Sequence, residues 1–282
     1  MKKLKFTFVG GDLHLAAAHF FIKESGYLSD TFLLEKAENI GKGDKCIVFP
    51  VSDIYVLPLP VTQDKSNINS PLSDLSLSFD DFFSMLPENA TVFGGMIPEE
   101  IKTKAKKSGI RLYDYYDSEE LQIKNAVPTA EGAIEIAIRE MPVTLFGTKT
   151  LVIGSGRIGK VLSPILRAFG SRVTVAGRNH EALVWNEIYG FDTLNTALIS
   201  ESIKDYDLII NTAPSKIITK EVLSGLKKDA LIIDLASRPG GVDMDAAAQL
   251  GIRVIWALGL PGKCAPVSAG RIIGSSVLNL LK

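Results

Sequence analysis

Three glycines give the chain its clearest chemical signal. Gly154, Gly156 and Gly159 stand in the run Thr150-Leu151-Val152-Ile153-Gly154-Ser155-Gly156-Arg157-Ile158-Gly159, after an apolar strand pattern and at the start of a helical one carrying Val161, Leu162, Ile165, Leu166 and Phe169. At this spacing the first glycine permits a tight turn. The second lets the backbone approach a diphosphate at the positive end of the helix, and the third lets helix and strand pack closely. Gly154, Ser155, Gly156, Arg157, Ile158 and Gly159 are therefore candidate contacts to a dinucleotide. A second strand pattern, Arg172 to Ala176, runs into Gly177-Arg178-Asn179, and Arg178 falls 19 positions after Gly159 (178 − 159). An acidic side chain there would hold a ribose 2′-hydroxyl, whereas a guanidinium suits a 2′-phosphate. The sequence thus predicts NADP rather than NAD, with Arg178 and Asn179 at the adenosine end; a solvated surface arginine is the alternative for Arg178.

Later strand patterns support the same crevice. Asp207 to Pro214 and Leu231 to Ser237 are apolar runs ending in turn residues, which puts Thr212, Ala213, Pro214, Ala236 and Ser237 at the carboxyl edge of a parallel sheet, where ligands bind. Beyond the second of these, Ser237-Arg238-Pro239-Gly240-Gly241 makes a stiff turn that carries Arg238 on the same edge.

The elements that would hold these residues alternate between strand and helix along the chain. The pattern predicts a strand at Lys5–Val9 and a helix from Asp12 to Ser25. Strand candidates follow at Thr31–Leu34, Cys46–Phe49, Thr91–Phe93 and Arg111–Tyr115, and helix candidates at Phe79–Leu86 and Pro98–Ser108. Ile54 to Val61 carries Pro58 and Pro60 and is expected to be at best an edge strand or an extended loop. Residues 63–78, rich in Ser, Asn and Asp, read as a long surface loop. A helix is predicted from Pro128 to Met141, with proline in its first turn, and a final apolar helix from Pro266 to Leu281. The expected organisation is α/β throughout. A smaller flavodoxin-like or Rossmann-like α/β domain at residues 1–127 is followed by a linker helix at 128–144. An NAD(P)-binding Rossmann domain then occupies 145–265, and a C-terminal helix at 266–282 packs back on the domain interface.

Bulk properties exclude other classes. Among 282 residues, 46% are hydrophobic and 22% charged, with 31 basic against 32 acidic side chains and a net charge of −1. No basic tract is dense enough for a nucleic-acid partner. The two cysteines, Cys46 and Cys264, form no metal-binding or disulfide pattern, so no metal site is expected. The apolar run after Met1-Lys2-Lys3-Leu4-Lys5 ends at Gly10-Gly11, too short for a signal peptide. No stretch reaches the roughly 20 apolar residues of a membrane helix. A cytoplasmic protein that does not associate with membranes is expected.

Several segments carry a resemblance. Asp234-Leu235-Ala236-Ser237-Arg238-Pro239-Gly240-Gly241, Gly259-Leu260-Pro261-Gly262-Lys263 and Pro266-Val267-Ser268-Ala269-Gly270 are distinctive. They are joined in the first half by Gly10-Gly11-Asp12, Pro50-Val51-Ser52 and Asn125-Ala126-Val127-Pro128-Thr129-Ala130-Glu131-Gly132. Together these resemble the A-subunit family of the dipicolinate synthases of endospore-forming bacteria, over nearly the whole chain except 54–78. The resemblance implies NADP-linked oxidation of dihydrodipicolinate to dipicolinate, in the mother cell during sporulation. It also implies a partner, the flavoprotein-like B-type subunit of dipicolinate synthase, and a homo-oligomer is expected.

A dicarboxylate substrate requires paired cations, and Arg238 and Lys263 are the candidates, joined by Ser52, Thr129 and Glu131. Thr129 and Glu131 would open the linker helix, whose N-terminus favours an anion. Asp12 and His14 follow the first strand. With Lys263 they form the candidate catalytic set, and His14 could take the proton released on oxidation. Plainer roles stand beside each assignment. His14 could cap or pack in a helix, Arg238 could brace its turn, Glu131 could complement the helix dipole, and Asp234 could brace a loop. His19 and His180 read as core or surface residues, and Cys264 as a small buried residue. The residues alone also leave open another NADP-linked dehydrogenase of an amino or hydroxy acid, or a non-catalytic nucleotide-binding protein that regulates an enzyme.

Overall fold

A computed structural model describes residues 3–38 and 41–281, so Met1 and Lys2 of the N-terminal basic run lie outside the described residues. The chain divides into two compact units, one made of residues 1–125 and 261–282 and the other of residues 126–260.

The first unit contains β1 (Lys5–Val9), α1 (Leu13–Glu24), β2 (Leu28–Phe32), β3 (Ile54–Val56), α2 (Phe79–Met85), β4 (Thr91–Gly94), α3 (Glu99–Lys107) and β5 (Arg111–Asp114). Its five strands are all parallel in the order β2-β1-β3-β4-β5. That is the doubly wound order whose direction of winding reverses between β1 and β3, the place where such sheets bind ligands. β3 is central and fully buried, not an edge. Pro58 and Pro60 fall beyond its end, so the missing N–H groups never enter the ladder. Residues 46–49 form no strand. After one bridge between Thr31 and Lys45 the chain leaves the sheet, exposing Ile47 and Val48 while Phe49 stacks on Tyr55. β2 also begins and ends earlier than Thr31–Leu34.

The helix α4 (Glu119–Glu140) is 22 residues long and carries Pro128 in its interior, not at its start. Its true start signal is Ser118, whose hydroxyl accepts from the Leu121 N–H, followed by the acidic pair Glu119-Glu120 in the first turn.

The second unit continues with β6 (Lys149–Ile153), α5 (Arg157–Ala168), β7 (Arg172–Gly177), α6 (His180–Ile188), β8 (Asp192–Asn195), α7 (Ile199–Ser202), β9 (Leu208–Asn211), α8 (Lys220–Ser224), β10 (Leu231–Asp234), α9 (Met244–Leu250) and β11 (Arg253–Trp256). The six parallel strands lie in the order β11-β10-β9-β6-β7-β8. This is the Rossmann arrangement, with its reversal between β6 and β9. β9 and β10 are buried at every position, as expected of strands covered on both faces.

The chain ends with α10 (Leu260–Cys264) and α11 (Pro266–Leu280). α11 packs along α1, adding Ile273 and Val277 to the core around Phe6, Phe8 and Ile22. The crossing is close because Gly270 and Gly274 face α1. A Cβ on Gly270 would lie 2.5 Å from the His14 carbonyl oxygen, and one on Gly274 2.5 Å from the Phe21 ring.

Candidate functional site

In the second unit the glycine turn is held by hydrogen bonds and steric fit. Gly154 has φ +111°, and a Cβ there would fall 2.2 Å from Thr212 Oγ1, so only glycine fits. The Thr212 hydroxyl donates to the Ile153 carbonyl at 2.9 Å, tying the end of β9 to the end of β6 across the reversal point. Gly159 is equally restricted, since its Cβ would lie 2.0 Å from the Gly154 carbonyl oxygen. Gly156 is the opposite case. A Cβ there would meet nothing within 4 Å, and no side chain caps α5, whose first turn carries no acidic residue. The second glycine therefore borders open space at an uncapped helix N-terminus, which fits the diphosphate of a dinucleotide. Ser155 lies beside the Gly177 turn at the end of β7.

Arg178, the next residue, is exposed and makes no ion pair among the described residues. The Asn179 carboxamide accepts from the Ala182 N–H at 3.0 Å and so caps α6, an occupation that competes with a cofactor contact.

Behind this edge Asp234 braces a loop, one of the roles the sequence left open for it, and Asn211, to which sequence reasoning assigned no role, joins it. Asn211 donates to Asp234 Oδ1 at 2.8 Å and to the Ala213 carbonyl at 3.0 Å, and its oxygen accepts from the Ala213 N–H. Asp234 also accepts from the N–H groups of Ala236 and Gly241. It is a loop brace, and it fixes Thr212-Ala213-Pro214 and Ala236-Ser237 together. The signal for this network is an amide and a carboxylate each closing an otherwise apolar strand. Arg238 sits on this turn before a cis proline, exposed and without an ion pair among the described residues.

Thr129 and Glu131 are not at a helix N-terminus. They lie mid-way along α4, and Glu131 borders a groove with Ile138, Ile165 and Phe169, toward the carboxyl end of α5 and away from the glycine turn. The reason for assigning them to an anion is removed, because the orphan N–H groups of α4 are about three turns earlier.

In the first unit, Gly10-Gly11-Asp12 follows β1 at the reversal point of the sheet. Both glycines have positive φ, and the Gly11 N–H donates to the Asn69 carbonyl at 2.7 Å, which brings the loop 60–70 over this turn. Asp12 is the N-cap of α1, accepting from the His14 N–H at 3.0 Å. Its carboxylate also lies against His14 Nδ1. Burial pushes the Asp12 carboxyl up, but the His14 side chain and the backbone N–H groups of His14 and Leu15 outweigh it, and the group stays below the usual carboxylate range. His14 is 7% exposed; its Nδ1 faces the Asp12 carboxylate, and its Nε2 has no hydrogen-bond partner among the described residues. The Nδ1–Cε1 edge of the ring faces Gly262 of α10, where a Cβ would lie 2.5 Å from Nδ1 and 3.0 Å from Asp12 Oδ2. Sequence reasoning gave Gly262 no role; the only signal for it is the Gly-Leu-Pro-Gly spacing. Lys263, next to it, is exposed and unpaired among the described residues.

The remaining candidates separate from this group. Ser52 precedes β3, at the amino end of the sheet, and its hydroxyl is bonded to Thr7 Oγ1 at 2.7 Å, so the structure does not bring it to Asp12. His19 is a core residue between Ser29 and Asp44. Its pKa is lowered by burial, which keeps it neutral at physiological pH. Cys264 is exposed, contrary to the small buried residue expected. Among the described residues no helix is long and apolar enough to cross a membrane.

A Rossmann sheet with an open glycine turn, in one chain with a second parallel α/β unit, defines a two-domain protein of the nicotinamide-dinucleotide-binding dehydrogenase class. Residues 121–250 match the NAD-binding domain of the D-isomer specific 2-hydroxyacid dehydrogenases, and residues 5–116 the N-terminal domain of the dipicolinate synthase A-subunit. The chain is 32% identical over 236 residues to the dipicolinate synthase A-subunit of Bacillus subtilis (strain 168), covering 83% of this chain and 80% of that protein. The crystal structure of the A-subunit from Bacillus halodurans superposes with a TM-score of 0.89 at 26% identity, over 99% of this chain and 97% of that one. The crystal structure of the Bacillus subtilis A-subunit gives 0.86 at 30% identity, over 100% and 96%. The protein belongs to the dipicolinate synthase A-subunit family.

Proposed function

We propose that this protein oxidises dihydrodipicolinate to dipicolinate with NADP as acceptor. The observation that carries the reading is its 32% identity, over most of its length, to a protein named for dipicolinate synthesis. The reaction removes a hydride and a proton from the dihydropyridine ring: dihydrodipicolinate and NADP+ give dipicolinate, NADPH and H+. NADP supplies the hydride acceptor, and the Gly154–Gly159 turn, the Thr212–Pro214 loop and Arg178 are the residues suited to hold it. His14, a buried base held against the ionised Asp12 carboxylate, takes the proton. Arg238, exposed on its turn, and Lys263, exposed on α10, hold the carboxylates. Aromatisation drives the step, so the protein's task is mainly alignment. The partner is a second, B-type subunit, the assembly contains more than one copy of this chain, and the work is done in the mother-cell cytoplasm during sporulation.

The test supplies freshly generated dihydrodipicolinate and NADP to the purified protein, alone and with the B-type subunit, and follows NADPH and dipicolinate. The match of residues 121–250 to a 2-hydroxyacid dehydrogenase domain favours one rival, a hydroxy-acid dehydrogenase. Turnover of 2-hydroxy acids with no turnover of dihydrodipicolinate would select it.

A further inference from the structure

The N-terminus of α11 lies beside the Asp12–His14 pair and is not capped by protein. α11 is 15 residues long and begins with Pro266, which has no N–H to satisfy. Its N-cap residue is Ala265, no side chain caps it, and its first turn holds no acidic residue. The N–H groups of Val267 and Ser268 thus open the helix without intrahelical acceptors, Ser268 is exposed, and Lys263 stands three residues before Pro266. His14 lies under the corner between α10 and α11. Gly262 on one side of that corner approaches the His14 ring, and Gly270 on the other approaches the His14 carbonyl, each with room for no Cβ. The ring is more than nine-tenths buried, with no hydrogen-bond partner at Nε2 among the described residues. An uncapped helix N-terminus and a buried imidazole whose Nε2 has no hydrogen-bond partner among the described residues thus meet at one corner, with Lys263 on the helix that forms its other side.

We infer that this corner is a carboxylate subsite: the first-turn N–H groups of α11, the Ser268 hydroxyl and Lys263 hold one carboxylate of the substrate, which sets the ring beside His14. Gly262 is a positioning residue: with no side chain it packs against the Asp12–His14 pair without displacing the imidazole. The inference rests on the proposed dicarboxylate substrate and adds where one of its carboxylates lies.

The experiment measures binding of dipicolinate by calorimetry, separately from turnover, in the full-length protein and three variants. Ser268→Asp places a carboxylate in the first turn of α11, where it suits the helix dipole and occupies the subsite. It is expected to keep or raise the melting temperature while weakening dipicolinate binding at least tenfold. Lys263→Ala is expected to weaken it by a similar factor. Gly262→Ala, which crowds His14 Nδ1, is expected to shift the pH profile of turnover, with NADP affinity unchanged. The histidine NMR signals, assigned by His14→Gln, should show a shift at His14 when dipicolinate is added. Wild-type affinity in both Ser268→Asp and Lys263→Ala, or no dipicolinate binding by the wild type, overturns the subsite. Turnover of dihydrodipicolinate that survives those results leaves the proposed reaction standing. Lys263-dependent binding of dipicolinate by a protein with no turnover removes the reaction and keeps the subsite.

Discussion

Gly156 and Gly159, two glycines of the chain's main motif, should fail in opposite ways when substituted. Gly156 has φ −80° and ψ −160°, extended backbone that any residue adopts, and its Cβ would meet nothing within 4 Å. Gly156→Val should cost about 1 kcal/mol as an inferior N-cap, partly offset by a stiffer unfolded chain. That corresponds to a melting-temperature change of roughly 2–4 °C. The valine side chain fills the space at the helix N-terminus, so NADP affinity should fall more than a hundredfold, which is about 2.7 kcal/mol or more. At Gly159 the added methyl would sit 2.0 Å from the Gly154 carbonyl oxygen, a backbone atom that cannot swing away. Gly159→Ala should therefore cost about 3 kcal/mol and roughly 6–12 °C before any ligand is considered. Thermal melting and NADPH fluorescence titration on the same preparations read both effects. A Gly156→Val protein that binds cofactor within twofold of wild type, or a Gly159→Ala protein that melts like it, would refute the reasoning.

Further outcomes follow from the same geometry. Arg178→Ala should abolish the preference for NADP over NAD in paired titrations, and an unchanged preference would remove Arg178 from the cofactor site. Arg238→Ala should cost about 2–5 kcal/mol of dicarboxylate affinity, with NADP affinity and melting temperature near normal. Loss of stability and of both ligands together would mean that Arg238 only braces its turn. Asp234→Ala leaves Asn211, Ala236 and Gly241 without their acceptor and should destabilise the protein by roughly 2–5 kcal/mol in urea unfolding. The Asp12 carboxyl is held below its ordinary value of 3.8, so its stabilisation is complete above that pH and is lost as pH falls through the lower folded value. The stability gap between wild type and Asp12→Asn should therefore close as pH falls below the ordinary carboxylate range; a gap that widens there contradicts the assignment.

Much of this is legible from local pattern. The glycine spacing, the strands flanking it and the polar residues ending β9 and β10 are nearest-neighbour signals, and each has a steric or hydrogen-bond cause in the structure. Proline misleads twice. Pro58 and Pro60 make β3 look like an edge, yet they lie just past its end, and Pro128 looks like a helix start while it sits inside α4. The error at Pro128 carries Thr129 and Glu131 into the candidate site, because their role depends on being in a first turn. Gly262 and the uncapped start of α11 are invisible as a site in the sequence. Their meaning comes from contact with His14, about 250 residues away in sequence, a pairing that no local periodicity encodes.

The central claim is tested most directly by the stoichiometry of a single reaction mixture. With dihydrodipicolinate in excess over NADP, and oxygen excluded, the protein should form one dipicolinate for each NADPH, and neither in the Gly156→Val variant. Dipicolinate appearing without NADPH, or bound NADP with no dipicolinate formed even with the B-type subunit present, would contradict it.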